Sequence, residues 1–281
     1  MTNKFLNGAS HPIFSALMYL LAFMVLQFFC MYAVLYGWAW VNDADFKVLM
    51  AQQTSEIGNM QIEPFIISSA TSSLLTIALF GLLKWTDTPR PYLRTRPWAV
   101  LFWVVLLTLG TILPSIWLQE VLQLSMPERL EQHFMRLLEN RWGYLVLGIL
   151  APVVEEVVFR GAILRVLLHF FRRQRHWAAI VVSALFFGLI HMNSAQFLHA
   201  FLMGILLGWL YCRSDSIVPG IVLHWVNNTV AYASYKIAPQ LVDLKLIDIF
   251  GGSQRSVTLS LVFSMMIFVP ALLQLHMRMK R

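Results

Sequence analysis

Long apolar runs separated by short charged breaks constrain this chain more than any single motif does. A membrane-spanning helix needs ~20 predominantly apolar residues. By that criterion about eight stretches qualify, at roughly 12–40, 64–84, 98–118, 143–168, 177–193, 196–212, 217–238 and 257–277. In lipid, backbone N–H and C=O groups have no water to bond, so spans of this kind must be helices. The expected fold class is therefore all-α: a polytopic membrane protein with about eight transmembrane helices in a single integral membrane domain over 1–281. Composition agrees, because 58% of residues are hydrophobic and only 12% charged, a balance that a water-soluble domain of 281 residues does not need.

The charge of +7 at pH 7 and the pI near 9.6 do not point to nucleic acid, because the cations sit in short runs between apolar stretches and read as topology signals. Lys4, then Lys84, Arg90, Arg94 and Arg96, then Arg165, Arg172, Arg173 and Arg175, then Arg213, and finally Arg278, Lys280 and Arg281 fall on one side. The other side carries Asp43, Asp45, Glu56 and Glu63, a mixed stretch, then Asp243 and Asp248. Cations are retained in the cytoplasm, so both termini are expected inside, which requires an even number of spans. The first run is too long for a cleaved signal peptide and reads as an uncleaved span. With no targeting extension and no retention motif at Arg281, the expected home is a bacterial plasma membrane.

Between the third and fourth spans, Ser125 to Arg141 is too charged to cross. Leu130, Phe134, Leu137 and Leu138 nevertheless recur at helical spacing opposite Glu128, Glu131 and Glu139. This segment either lies along the outer interface or packs on the bundle. Cys30 and Cys212 sit in or beside apolar segments, where thiols act as packing residues.

Charged groups within a span cost roughly 2.5–3.5 kcal/mol at the helix centre, so those that occur are functional candidates. The fourth span carries Glu155 and Glu156 amid valines, with Arg160 four residues on and Pro152 just before. The fifth ends at Phe187 and His191, the sixth holds His199, and the seventh carries His224 and Asn228. At α-helical spacing Glu156 and Arg160 share a face and can form an ion pair that offsets the desolvation of both. Glu155 then faces elsewhere, with no cation at that spacing, so it must find a partner on another span or have its pKa raised by burial, which suits a proton acceptor. Pro152 removes a helix hydrogen bond beside the acids, loosening the backbone there. His199, taken alone, reads as a hydrogen-bonded packing residue.

A carboxylate with two imidazoles can bind and deprotonate water, directly or through a divalent metal such as Zn2+. An Asn amide or a neutral imidazole can donate to a developing oxyanion. Peptide or ester hydrolysis by activated water is the reaction class these residues suit.

Three motifs in order, Glu155-Glu156 with Arg160, Phe187 with His191, and His224 with Asn228, resemble the CPBP family of CAAX proteases and bacteriocin-processing enzymes. This family includes type II CAAX prenyl endopeptidases, and the motif-bearing core covers about 143–238. The resemblance implies an eight-helix fold and an intramembrane endopeptidase acting on a membrane-associated peptide or protein. Glu155 and His191 would activate water, and His224 and Asn228 would stabilise the oxyanion. Glu156, Arg160 and Phe187 would support them, and Glu155, His191 and His224 are the available metal ligands. The alternative from another class is a non-catalytic immunity or scaffolding protein of the same fold. A transporter is disfavoured because no internal repeat is visible.

Counting ~1.5 Å per residue, straight spans put His191 nearer the outer face than Glu155. Tilt, a short fifth span or an inward-dipping loop at Met192 to Gln196 are the ways to close that gap.

Overall fold

All eight apolar stretches fall on helix in the computed structural model, which describes residues 11–54, 61–87, 89–171, 173–241 and 244–279. Lys4, Glu56, Arg172, Asp243, Lys280 and Arg281, used above for orientation, lie outside the described residues. The helices are α1 (Pro12–Val41), α2 (Phe46–Thr54), α3 (Ile62–Leu82), α4 (Arg90–Arg94), α5 (Trp98–Val121) and α6 (Glu128–Glu139). The fourth span is a succession of π1 (Leu145–Leu150), α7 (Ala151–Glu156), π2 (Val157–Leu164) and α8 (Arg165–Phe171). Then follow α9 (His176–Leu189), α10 (Ser194–Ser214), α11 (Val218–Ile237), α12 (Leu246–Ile249) and α13 (Gln254–Arg278). No strand occurs among the described residues, and the chain is an all-α polytopic membrane protein.

Five of these helices, α1, α3, α5, α10 and α13, are long and apolar enough by themselves to cross a membrane. The other three expected spans each depart from a plain apolar rod for a visible reason. The fourth alternates between α and π winding. The fifth, α9, has only 14 residues, or ~21 Å at the α-helical rise, against a hydrocarbon core of ~30 Å. The seventh, α11, carries His224, Asn227, Asn228 and Thr229 along its length. The fifth span is thus short, and no irregular loop runs from Met192 to Gln196, because α10 already begins at Ser194.

The chain forms two compact units: Met1–Thr86 with Pro127–Phe170, and Asp87–Met126 with Phe171–Arg281. In the first, α1 packs along α3 and both meet the fourth span. Ser68, Ser72 and Thr76, four apart on α3, are all buried and let the backbones approach closely. Ser72 Oγ donates to Gln27 Oε1 of α1 at 2.7 Å, so this polar contact is satisfied without water. Phe23 of α1 meets Phe159 edge-on, with ring centroids 6.3 Å apart.

Helix α6 packs within this unit. Leu137 is buried against Ile66 of α3 and Val146 of π1, and His133 stands edge-on to Phe65 at 4.3 Å. Its first residues, Glu128 to Gln132, are exposed. Gly143 permits the turn into the fourth span, since a Cβ there would fall 1.7 Å from the Leu137 carbonyl oxygen.

The second unit is built on α5 against α13 and α9 against α10, with α11 on α5 and α10. Glycine sets both close approaches. A Cβ on Gly110 would lie 2.7 Å from the backbone nitrogen of Phe268, and one on Gly208 would lie 2.9 Å from Ile180. Asn193 caps α10 and Ser253 caps α13, each accepting a first-turn backbone N–H.

His133 makes α6 docking pH-dependent. Burial, aided by Arg129 and Arg136, pushes its imidazole from 6.5 down to about 4, and neither ring nitrogen has a hydrogen-bond partner. The folded state therefore favours the neutral ring. Its contribution is complete above about pH 6.5 and is lost as pH falls toward 4. Hydrogen-exchange protection of residues 128–139 should drop across that window in the wild type and stay flat in His133→Leu. Equal pH dependence in both proteins would refute the assignment.

Candidate active site

The two adjacent acids of the fourth span end up in different environments. Glu156 and Arg160 are both fully buried, and Arg160 Nη1 donates to Glu156 Oε1 at 2.8 Å. Glu155 is only half-buried. Glu155 and Glu156 both lie in α7, and Arg160 follows in π2.

Winding of this kind is concentrated around the acids. Pro152 sits at the start of α7, directly after π1, where its missing N–H interrupts the ladder. Such π segments recur at functional sites in other proteins because they re-aim side chains that a regular helix would fix elsewhere.

In the second unit, Phe187, His191 and His224 come together. Phe187 is 1% exposed and packs edge-on against both imidazoles, at 5.3 Å from His191 and 5.9 Å from His224. It thus spaces the two rings. His191 Nδ1 lies 2.8 Å from the Phe187 carbonyl oxygen. A carbonyl only accepts, so Nδ1 carries the proton and Nε2 of the neutral ring is the acceptor. That is the tautomer a proton-abstracting histidine requires.

His224 is 5% exposed, and Asn228 follows one turn later on α11. Asn227 Nδ2 donates to Asn228 Oδ1 at 3.2 Å, which engages the Asn228 amide oxygen. Glu155, Glu156 and Arg160 belong to the first compact unit, and Phe187, His191, His224 and Asn228 to the second.

Among the described residues no three His, Cys, Asp or Glu side chains are grouped closely enough to hold an ion.

Two further residues escaped the sequence reading. Ser115 Oγ of α5 lies 2.8 Å from His199 Nδ1, which gives His199 the hydrogen bond expected of a packing histidine. Nothing local marks Ser115, since its partner is 84 positions away. Asn193 is different: Asn193 followed by Gln196 carries the spacing of a helix start.

Removing one partner of a buried ion pair leaves an uncompensated charge, at about 3–5 kcal/mol. Arg160→Met should therefore destabilise the purified protein by that order, whereas Glu156→Leu with Arg160→Met should recover most of the loss. A thermal double-mutant cycle in detergent measures this, and additive losses would contradict the pairing.

Residues 138–230 match the family model described as Type II CAAX prenyl endopeptidase Rce1-like, a range that takes in all three motifs. No curated protein and no solved structure matches the chain. Over residues 138–230, about a third of its length, this polytopic chain is similar to the type II CAAX prenyl endopeptidase family.

Proposed function

We propose that the chain is an intramembrane endopeptidase that hydrolyses a membrane-associated peptide or protein with water activated by Glu155 and His191. The observation that carries this reading is the His191 ring, held with Nδ1 donating to the Phe187 carbonyl so that Nε2 is the basic nitrogen. The family match over 138–230 supports it independently.

In the proposed reaction, Glu155 and His191 take the proton of a water as its oxygen attacks the scissile carbonyl carbon. Negative charge moves to the carbonyl oxygen, where the Asn228 amide and His224 donate hydrogen bonds. The tetrahedral adduct collapses with C–N cleavage, and the abstracted proton passes to the departing amine. The products are a carboxylic acid and an amine. Arg160 supports the site by holding Glu156 buried. Phe187 sets the spacing of the two imidazoles.

Both termini are proposed to face the cytoplasm of a bacterial plasma membrane, from the distribution of Lys and Arg between spans.

The test is cleavage by purified protein in liposomes of lipid-anchored fluorogenic peptides. The panel includes one ending in a prenylated cysteine and three residues, because the matched family is described by that substrate class. Removing a general base costs roughly 10²–10⁴-fold in rate. Glu155→Gln and His191→Ala should lose activity on that scale while melting like the wild type. Full cleavage by Glu155→Gln would overturn the mechanism. Full biological function of that variant, with no cleavage by the wild type, would favour the non-catalytic immunity or scaffolding reading.

A further inference from the structure

The fifth and sixth spans are joined by only four residues, Ile190 to Asn193, and His191 lies within that turn. Met192 takes a left-handed conformation, φ +56°, and is 88% exposed. A residue with a Cβ pays about 1–2 kcal/mol for that region, so the turn persists only where its neighbours hold it. The holding contacts are specific. Asn193 Nδ2 donates to the His191 carbonyl oxygen at 2.8 Å and to Gln196 Oε1 at 2.6 Å, while Asn193 Oδ1 accepts from Gln196 N at 2.9 Å. Both amide donors and the amide oxygen are thus engaged.

Capping α10 requires only the oxygen, and Ser or Asp supplies one as well as Asn does. The donor to His191 is therefore additional to the cap. His191 is gripped from two sides: its ring by the last turn of α9 through Phe187, and its backbone carbonyl by the first turn of α10 through Asn193. The helix ends are themselves close, since a Cβ on Gly188 would fall 2.9 Å from the Phe197 ring.

We propose that Asn193 is a positioning residue for His191, its side-chain amide tying the His191 carbonyl to α10 and so fixing the direction in which Nε2 points. This deepens the peptidase reading and rests on it for its catalytic consequence. Misplacement of a catalytic group by about 1 Å costs up to ~100-fold, so loss of the tether is expected to lower kcat about tenfold or more.

The experiment compares Asn193→Asp and Asn193→Ser, which keep a capping oxygen and lose the amide donors, with the wild type in nanodiscs. Two readouts are taken: kcat and KM on the peptide that the wild type cleaves, and ring 15N shifts of His191, assigned with His191→Ala. The expected result is wild-type melting, KM within about twofold, kcat reduced at least about tenfold, and a His191 signal shifted from the Nδ1-protonated form toward a tautomer mixture. Unchanged kcat and unchanged ring shifts in folded variants overturn the proposal. If no peptide is cleaved by the wild type, the peptidase reading fails on its own, and the ring shifts still decide whether Asn193 positions His191. If neither variant inserts, Asn193→Gly, which removes the amide tether at an N-cap position where glycine is tolerated, takes its place. Unchanged ring shifts there count against the proposal, and a tautomer shift supports it.

Discussion

Inside a bilayer no water is available to accept or donate a hydrogen bond, so every polar group carried into the apolar layer must bring its partner along. The backbone meets that demand by coiling, which is why all eight apolar stretches are helical. The same demand sorts the side chains. Ser72 finds Gln27, Ser115 finds His199, Arg160 finds Glu156, and His191 finds the Phe187 carbonyl. None of these contacts requires solvent. The polar residues within the spans are therefore held in defined orientations, which is the precondition for chemistry in lipid.

Legibility in the sequence follows from range. The number and location of the helical stretches depend only on local apolarity, and their observed limits lie within a few residues of the expected ones. The Glu156–Arg160 pair was legible for the same reason, as an (i, i+4) contact in an apolar run. The π winding of the fourth span was not, because its residues are as apolar as those of a regular helix. Hydropathy does not distinguish these windings. It likewise ran the fifth span on through His191, although the helix stops at Leu189. Contacts between distant positions, such as Ser115 with His199, left no trace at all.

Two kinds of restraint converge on His191. Edge-on packing by Phe187 fixes ring spacing without adding polarity, and the carbonyl bond fixes the tautomer. On the fourth span, burial of Glu156 with Arg160 leaves Glu155 as the more accessible carboxylate. Each arrangement is expensive to maintain in an apolar setting unless it serves a purpose, since intramembrane ionisable groups are costly. The family model matched over 138–230 spans these same residues.

The most direct measurement is terminal-labelling proteomics on membranes from a strain lacking this protein, complemented with the wild type or with Glu155→Gln at equal abundance. The account predicts new peptide N-termini with the wild type that are missing with the variant. Identical sets of N-termini in the two membranes would contradict it.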